Sequence, residues 1–482
     1  MTGDATGLLP AIPNRLRYNH AMNYEEYIAS HQNDFETRLF DVLRLPSVSA
    51  VEAHRPDVRR TAEWFCNQFT NIGLHAELLE TEGHPIVFAE YTPPALTEKT
   101  PTLLIYGHYD VQPPDPLNLW LSPPFEPDVR NGNVYARGAT DDKGQFLTHV
   151  FAVESILKSQ GSFPCKVKFV VEGEEESSGS CSLEKLLKTD EGKRKLACDC
   201  IVVSDTSQFA EGQPTITYGL RGIAAFELVL TGPNRDLHSG TFGGSVFNPA
   251  TALTKILSQF TDENGVVLIP QFYDDVIPLT DRERNEFSAL PFDESGFFTK
   301  IGLKTGFGEK GYSTNERRWG RPTFDINGLT AGYQGEGSKT IIPSRASAKF
   351  TCRLVPNQDP EKIVSAIRSY IASLTPPGIA WELAVQHGAA GMCLNLDKSR
   401  FVEPMAKALE RTFKKKPVFT REGGSISIVA EFHHVLQADV LLVGWGQDDD
   451  ALHSPNEKFS LASFHHGILA SARFLMLVEP SP

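Results

Sequence analysis

Three successive glutamates, Glu174, Glu175 and Glu176, stand just after the apolar run Val167 to Val171. In a cleft such a run repels itself unless cations neutralise part of it. Other groups able to hold a cation recur in the same setting. His108 and Asp110 follow Leu103 to Tyr106, Asp205 follows Ile201 to Val203, and His453 follows Val440 to Val443. Asp141 lies in Gly138-Ala139-Thr140-Asp141-Asp142-Lys143-Gly144. Taken singly, a His-x-Asp pair reads as a turn and an acidic run as a solvated face. Taken jointly, imidazole nitrogen and carboxylate oxygen without sulfur suit two Zn²⁺ ions, with Mn²⁺ or Co²⁺ as alternatives. Two such ions about 3.5–4 Å apart share a bridging carboxylate and activate one water. Asp141 is the candidate bridge.

These groups need rigid elements behind them. The four apolar runs are short and rich in large aliphatic residues, the pattern of buried strands in an α/β sheet, although periodicity alone leaves helix open. Ligands of such sheets gather beyond the carboxyl ends of strands. Asp141 precedes a helical pattern with Phe146, Leu147, Val150, Phe151 and Leu157 on one face, and a carboxylate suits a helix start. The expected fold is α/β: a catalytic domain with a mixed central sheet flanked by helices, plus an inserted α+β lid or dimerisation domain. The expected boundaries are an irregular lead-in at 1–21, the catalytic domain at 22–215, the insert at 216–388 and the rest of the catalytic domain at 389–482. A helical pattern is expected over Tyr24 to Leu45 and from Phe401 to Phe413. Within the insert, Ala224 to Leu230 and Ala348 to Leu354 read as strands, and the Gly-, Arg- and Asp-rich stretch Asp274 to Asn327 as mostly loop.

Composition bounds the partners. The 482 residues carry a formal net charge of -14, which argues against nucleic acid. Seven scattered cysteines lack paired metal-site spacing, which reads as reduced thiols. No apolar stretch approaches the roughly 20 residues of a membrane span, and the first residues lack a secretory core, so a cytoplasmic protein is expected.

Gly107-His108-Tyr109-Asp110-Val111, Ala136 to Gly144, the glutamate cluster, Ser204-Asp205-Thr206 and Leu452-His453-Ser454-Pro455-Asn456-Glu457 together resemble the metallopeptidase family of carnosine dipeptidases, carboxypeptidase G and succinyl-diaminopimelate desuccinylase. The resemblance runs from about residue 22 to the end. It implies that His108 and Asp205 hold one metal, Glu176 and His453 the other, and that Asp141 bridges them. It also implies Asp110 orienting His108, Glu175 as general base, and a cis peptide between Asp141 and Asp142. The family pattern Glu-Glu-x-Gly-Ser has an extra residue here, Glu175-Glu176-Ser177-Ser178-Gly179-Ser180, so a register of Glu174 as base and Glu175 as ligand stays open.

In the insert, Asp236-Leu237-His238-Ser239-Gly240 resembles the motif whose histidine reaches a neighbouring subunit's site, which implies a homodimer with His238 as an oxyanion donor. Segments around Thr340 and Arg353, and Arg421 to Ile426 with Gly424 and Ser425, resemble substrate-contacting parts, with Arg353 suited to clamp a terminal carboxylate. His387 matches less specifically. The implied activity is hydrolysis of dipeptides or other small peptides. An N-acyl amino acid amidohydrolase is the alternative enzyme, and a non-catalytic homologue the alternative of another class.

Overall fold

The computed structural model describes residues 22–95, 97–178 and 181–479. The expected lead-in at 1–21 lies outside them. In chain order the strands are β1 (His75–Leu79), β2 (Ile86–Tyr91), β3 (Thr102–His108), β4 (Asp128–Arg130), β5 (Asn133–Tyr135), β6 (Lys166–Glu172), β7 (Cys200–Val203) and β8 (Thr215–Leu220). They continue with β9 (Gly222–Thr231), β10 (Leu237–His238), β11 (Thr323–Ala331), β12 (Ile341–Ile342), β13 (Arg345–Leu354) and β14 (Ala380–Ala389). The last four are β15 (Met392–Cys393), β16 (Val418–Glu422), β17 (Asp439–Leu442) and β18 (Lys458–Ser460).

Nine of these form one mixed sheet in the order β1-β2-β6-β3-β7-β17-β8-β15, with β16 paired to β8. The four runs read from the sequence are β3, β6, β7 and β17, and they lie side by side and parallel as β6-β3-β7-β17. Alternate side chains enter opposite layers: Leu103 and Ile105 join one core, Leu104 and Tyr106 the other. The first core holds helix Lys143–Gln160, expected to be apolar on one face but buried nearly all round, because helix Leu461–Leu477 packs over its outer side. The second core holds Ile428, Val429 and Phe432 of helix Ser427–Leu436. Tyr24 to Leu45 forms two helices, Tyr24–Ser30 and Gln32–Leu43, and the 401–413 pattern forms Val402–Phe413.

The inserted part has its own four-stranded antiparallel sheet, β11-β13-β9-β14. Alternation along β9 sends Ala224, Phe226, Leu228 and Leu230 inward against helices Pro249–Leu257 and Pro360–Leu374. The chain leaves the large sheet at Arg221 rather than at 216, because β8 pairs with β16 and β17 before turning into β9. It returns through β15.

The stretch Asp274 to Asn327 departs from the loop expectation. It forms helices Asp281–Ala289, Glu294–Lys300 and Thr314–Gly320 before β11 begins. Two of them start with reciprocal capping boxes, Thr280 with Glu283 and Ser313 with Glu316. Leu279, Phe287 and Trp319 join the core of the large domain rather than that of the insert, and Glu283 pairs with Arg421 of β16. Short polar helices of this kind carry no long apolar stripe, so turn chemistry was the only local signal.

Among the described residues no helix is long and apolar enough to cross a membrane.

Candidate metal centre and active site

Loops leaving the parallel strands bring the sequence-distant acids and histidines together. His108 ends β3, Glu176 follows β6, Asp205 follows β7 and His453 lies in the loop after β17. Two triads result, His108–Asp141–Asp205 and Asp141–Glu176–His453, each with its nearest ligand-type atoms within 4.8 Å of one another. Asp141 belongs to both. Its Oδ1 lies 3.0 Å from His108 Nε2 and its Oδ2 lies 2.9 Å from His453 Nε2. Asp205 Oδ2 stands 4.0 Å from His108 Nε2, and Glu176 Oε2 3.4 Å from His453 Nε2. The Asp141–Asp142 peptide is cis.

The donor set fits a pair of cations. An ion bound at about 2.0–2.2 Å in tetrahedral geometry keeps its ligand atoms roughly 3–3.6 Å apart, close to the spacings seen. His108 is fully buried, yet no hydrogen bond satisfies its Nε2. The charges point the same way. Burial, reinforced by Asp141, pushes the Asp205 carboxyl up to about 7. Burial also raises Glu175 to about 8, with His108 opposing and Asp205 and Glu176 adding to the rise. Hydrogen bonds to Asp141 and then Glu176 hold the His453 imidazole up to about 10. Such a crowd of carboxylates around two imidazoles is short of positive charge. In the triad with His108, His108 and Asp141 are buried and Asp205 is partly so, whereas the His453 side chain is 56 % exposed.

Outer contacts fix these groups. His108 Nδ1 meets the backbone oxygen of Asp110 at 3.1 Å and its carboxylate Oδ1 at 3.5 Å. Asp110 Oδ2 accepts from Ser49 Oγ at 2.6 Å and from the Glu176 backbone N–H at 3.0 Å, so one residue spans both triads. Gln112 Nε2 donates to Glu176 Oε2 at 2.8 Å. The glutamates divide by direction. Glu174 accepts from the backbone N–H groups of Ser182 (2.9 Å) and His84 (3.3 Å), Glu176 joins the His453 triad, and Glu175 belongs to neither triad. Gly444, after β17, lets the loops behind Asp205 and His453 touch: a Cβ there would sit 1.7 Å from the Thr206 carbonyl oxygen.

Glu457 received no role from the sequence. It is fully buried and binds the whole Asp141 loop: Oε2 accepts from Arg137 Nη1 (2.7 Å) and Gly138 N (3.0 Å), and Oε1 from Thr140 N (3.0 Å) and Asp141 N (3.1 Å). Its only sequence signal is an acid and a base in two motifs 320 residues apart. Glu457→Gln turns one acceptor into a donor facing Arg137 and Gly138. Breaking a buried pair in this way costs about 3–5 kcal/mol. The variant is expected to lose metal during dialysis and to melt lower than the wild type. Wild-type metal content and melting temperature would show that the clamp does not set Asp141.

The other sequence-nominated residues form two groups. Arg353 of β13 donates from Nη1 to Ser425 Oγ at 3.0 Å, and Ser425 Oγ donates to the Arg221 carbonyl at 2.6 Å, so Arg353 and the Gly424–Ser425 loop meet where the two domains join. His387 of β14 contacts Ser427 Oγ at 3.1 Å beside them. His238 and Thr340 lie together elsewhere: β10 pairs with β12, and Ser239 N donates to the Thr340 carbonyl at 3.1 Å. His238 is exposed, and among the described residues no hydrogen bond or ion pair joins it to the metal centre.

A mixed sheet with two carboxylate-bridged cation triads at its carboxyl ends defines a metal-dependent hydrolase. Residues 104–477 match the model of Peptidase family M20/M25/M40, and the chain belongs to that family. It is 34% identical over 457 residues to the Cys-Gly metallodipeptidase of Schizosaccharomyces pombe, covering 92% of this chain and 95% of that protein. It is 28% identical to the Beta-Ala-His dipeptidase of Homo sapiens, covering 94% of this chain and 91% of that protein. Among solved structures, a metallo-carboxypeptidase from Sulfolobus solfataricus superposes with a TM-score of 0.80 at 32% identity, covering 92% of this chain and 99% of that one. The di-peptidase Dug1p from Saccharomyces cerevisiae superposes with a TM-score of 0.76 at 31% identity, with 94% and 97% covered.

Proposed function

We propose that this chain is a dipeptidase that uses two zinc ions, one held by His108 and Asp205, the other by Glu176 and His453, with Asp141 shared. The observation that carries the reading is the two-sided Asp141 carboxylate, one oxygen toward each histidine. The relatives named for Cys-Gly and Beta-Ala-His cleavage support a short peptide as substrate.

Bound ions of this kind polarise the scissile carbonyl and lower the pKa of a water towards neutrality. Glu175 takes the proton of the attacking water as the new C–O bond forms, and then gives it to the departing amine nitrogen as the C–N bond breaks. Asp110 keeps the His108 ring in place. Arg353, steadied by Ser425, receives the terminal carboxylate with Gly424 and His387 beside it, while Thr340 acts together with His238. His238 stabilises the developing oxyanion from a second copy of the chain. A cytoplasmic setting agrees with seven free cysteines.

The test is metal analysis of protein purified without added metal, followed by a panel of dipeptides and N-acetyl amino acids assayed with Zn²⁺, Mn²⁺ and Co²⁺. Two equivalents of metal and preferential dipeptide turnover are expected. Faster cleavage of N-acetyl amino acids would give the site to deacylation, and no turnover would favour a binding role. Within the panel, Arg353→Ala is expected to cut kcat/KM for a dipeptide by about 10²-fold while changing that for its C-terminal amide little, because charge-assisted bidentate pairing needs the free carboxylate. Equal losses on both would remove Arg353 from carboxylate recognition.

A further inference from the structure

A cavity of about 530 Å³ lies where helices Glu294–Lys300 and Thr314–Gly320 cover the large sheet. Its walls include the sheet hydroxyls of Thr217 and Thr420 and the rings of Phe297 and Trp319. It falls within the about 300–1,000 Å³ of small-ligand pockets, far more room than a methyl side chain needs.

Two features tie it to the metal centre. Ser207 on its wall is the second residue after Asp205, and Glu422 on its wall starts the turn that leads to Ser425. The two helices thus roof a space whose wall adjoins, along the chain, both a metal ligand and the proposed carboxylate clamp.

The cavity's polar groups are incompletely used. Gln208 and Asn315 both line it and are each 3 % exposed, yet Gln208 Oε1 and Asn315 Oδ1 have no hydrogen-bond partner. Buried acceptors are normally satisfied, so each calls for a donor. Gln208 is partly explained, since its Nε2 donates to the Trp445 carbonyl at 3.1 Å. Asn315 has no such tie and is the freer group. Charges of both signs are present, Asp448 and Glu422 against Lys300 and Arg318, so a charged side chain entering here meets a like charge whichever sign it has.

We infer that this cavity is the subsite for the side chain of the substrate's N-terminal residue, and that it selects large uncharged side chains carrying a hydrogen-bond donor, tyrosine over alanine. The inference rests on the dipeptidase reading above. With the carboxylate end at Arg353, the N-terminal residue is the one left to reach the wall at Ser207. The aromatic rings receive the body of the side chain and the Asn315 amide its polar end.

The experiment compares kcat/KM for Tyr-Gly, Ala-Gly, Gly-Tyr and Gly-Ala in the zinc-loaded wild type, Asn315→Leu and Phe297→Ala, with melting temperatures as a check on folding. The wild type is expected to prefer Tyr-Gly over Ala-Gly by 10-fold or more. Both variants are expected to lose most of that preference while keeping Ala-Gly within about 3-fold. A wild type that cleaves both N-terminal variants equally overturns the subsite but leaves the dipeptidase reading standing. Turnover of none of the four overturns the reading on which the subsite rests. A variant effect confined to Gly-Tyr over Gly-Ala assigns the cavity to the C-terminal residue and overturns the proposal as stated. If Asn315→Leu does not fold, the Phe297→Ala ratio decides alone.

Discussion

Glu175→Gln is expected to keep both metals and lose about 10²- to 10⁴-fold in dipeptide turnover, the range for removing a positioned general base. The expectation follows from how the three glutamates are spent. Glu174 is committed to the Ser182 and His84 backbone, and Glu176 to the triad with Asp141 and His453. Glu175 is the one acid of the run that belongs to neither group, and burial, with the charges of Asp205 and Glu176 adding to it, raises its pKa. The amide of glutamine is nearly isosteric, so the ligands need not move, but it cannot accept the water's proton. Mass spectrometry of bound zinc together with steady-state rates tests this. Loss of metal in Glu175→Gln, with loss of turnover alone in Glu174→Gln, would move base and ligand one residue back along the chain.

Much of the centre was readable because its logic is local. Each apolar run is a strand; His108 ends β3, Glu176 and Asp205 come soon after β6 and β7, and His453 comes only farther along the loop that leaves β17, so the sequence order of strands and polar groups was legible before their adjacency was known. The strand character of Ala224 to Leu230, now β9, was equally plain. What hid from the sequence was contact between distant segments. Glu457 binds four donors around Asp141, yet alone it is an acid after an asparagine, and only the pairing of β18 with β5 brings it beneath the loop. The stretch 274–327 misled for a different reason: its helices are short and polar, held by capping boxes and by Phe287 and Trp319 docking on a domain other than the one that surrounds them in sequence. The switch between sheets at Arg221 was blurred because β8 runs across the expected boundary and is buried along its whole length. Thiol counting and charge bounded the partners without selecting a substrate. That selection depends on the shape of the cleft, which is tertiary.

An equal mixture of two inactive variants, His238→Ala and Glu175→Gln, is expected to recover activity once subunits exchange. The reason lies in where His238 sits. It is exposed on the short β10–β12 ribbon of the inserted domain, beside Thr340, and among the described residues no hydrogen bond or ion pair carries it to Asp141. An oxyanion donor must stand about 2.7–3.1 Å from the developing charge and is worth roughly 10²- to 10³-fold in turnover. If His238 acts from a second copy, each site draws its base from one chain and its donor from the other. Each single variant then has two defective sites per dimer. A mixed dimer has one site carrying both defects and one carrying neither, so up to half of its sites work. A donor delivered by a separate domain can also close after the substrate enters and exclude water, which a fixed donor cannot do. Subunit exchange is followed independently with differently labelled chains, and activity is read on one dipeptide at saturating zinc. Complete exchange without recovered activity would place His238 at its own chain's site or remove it from catalysis.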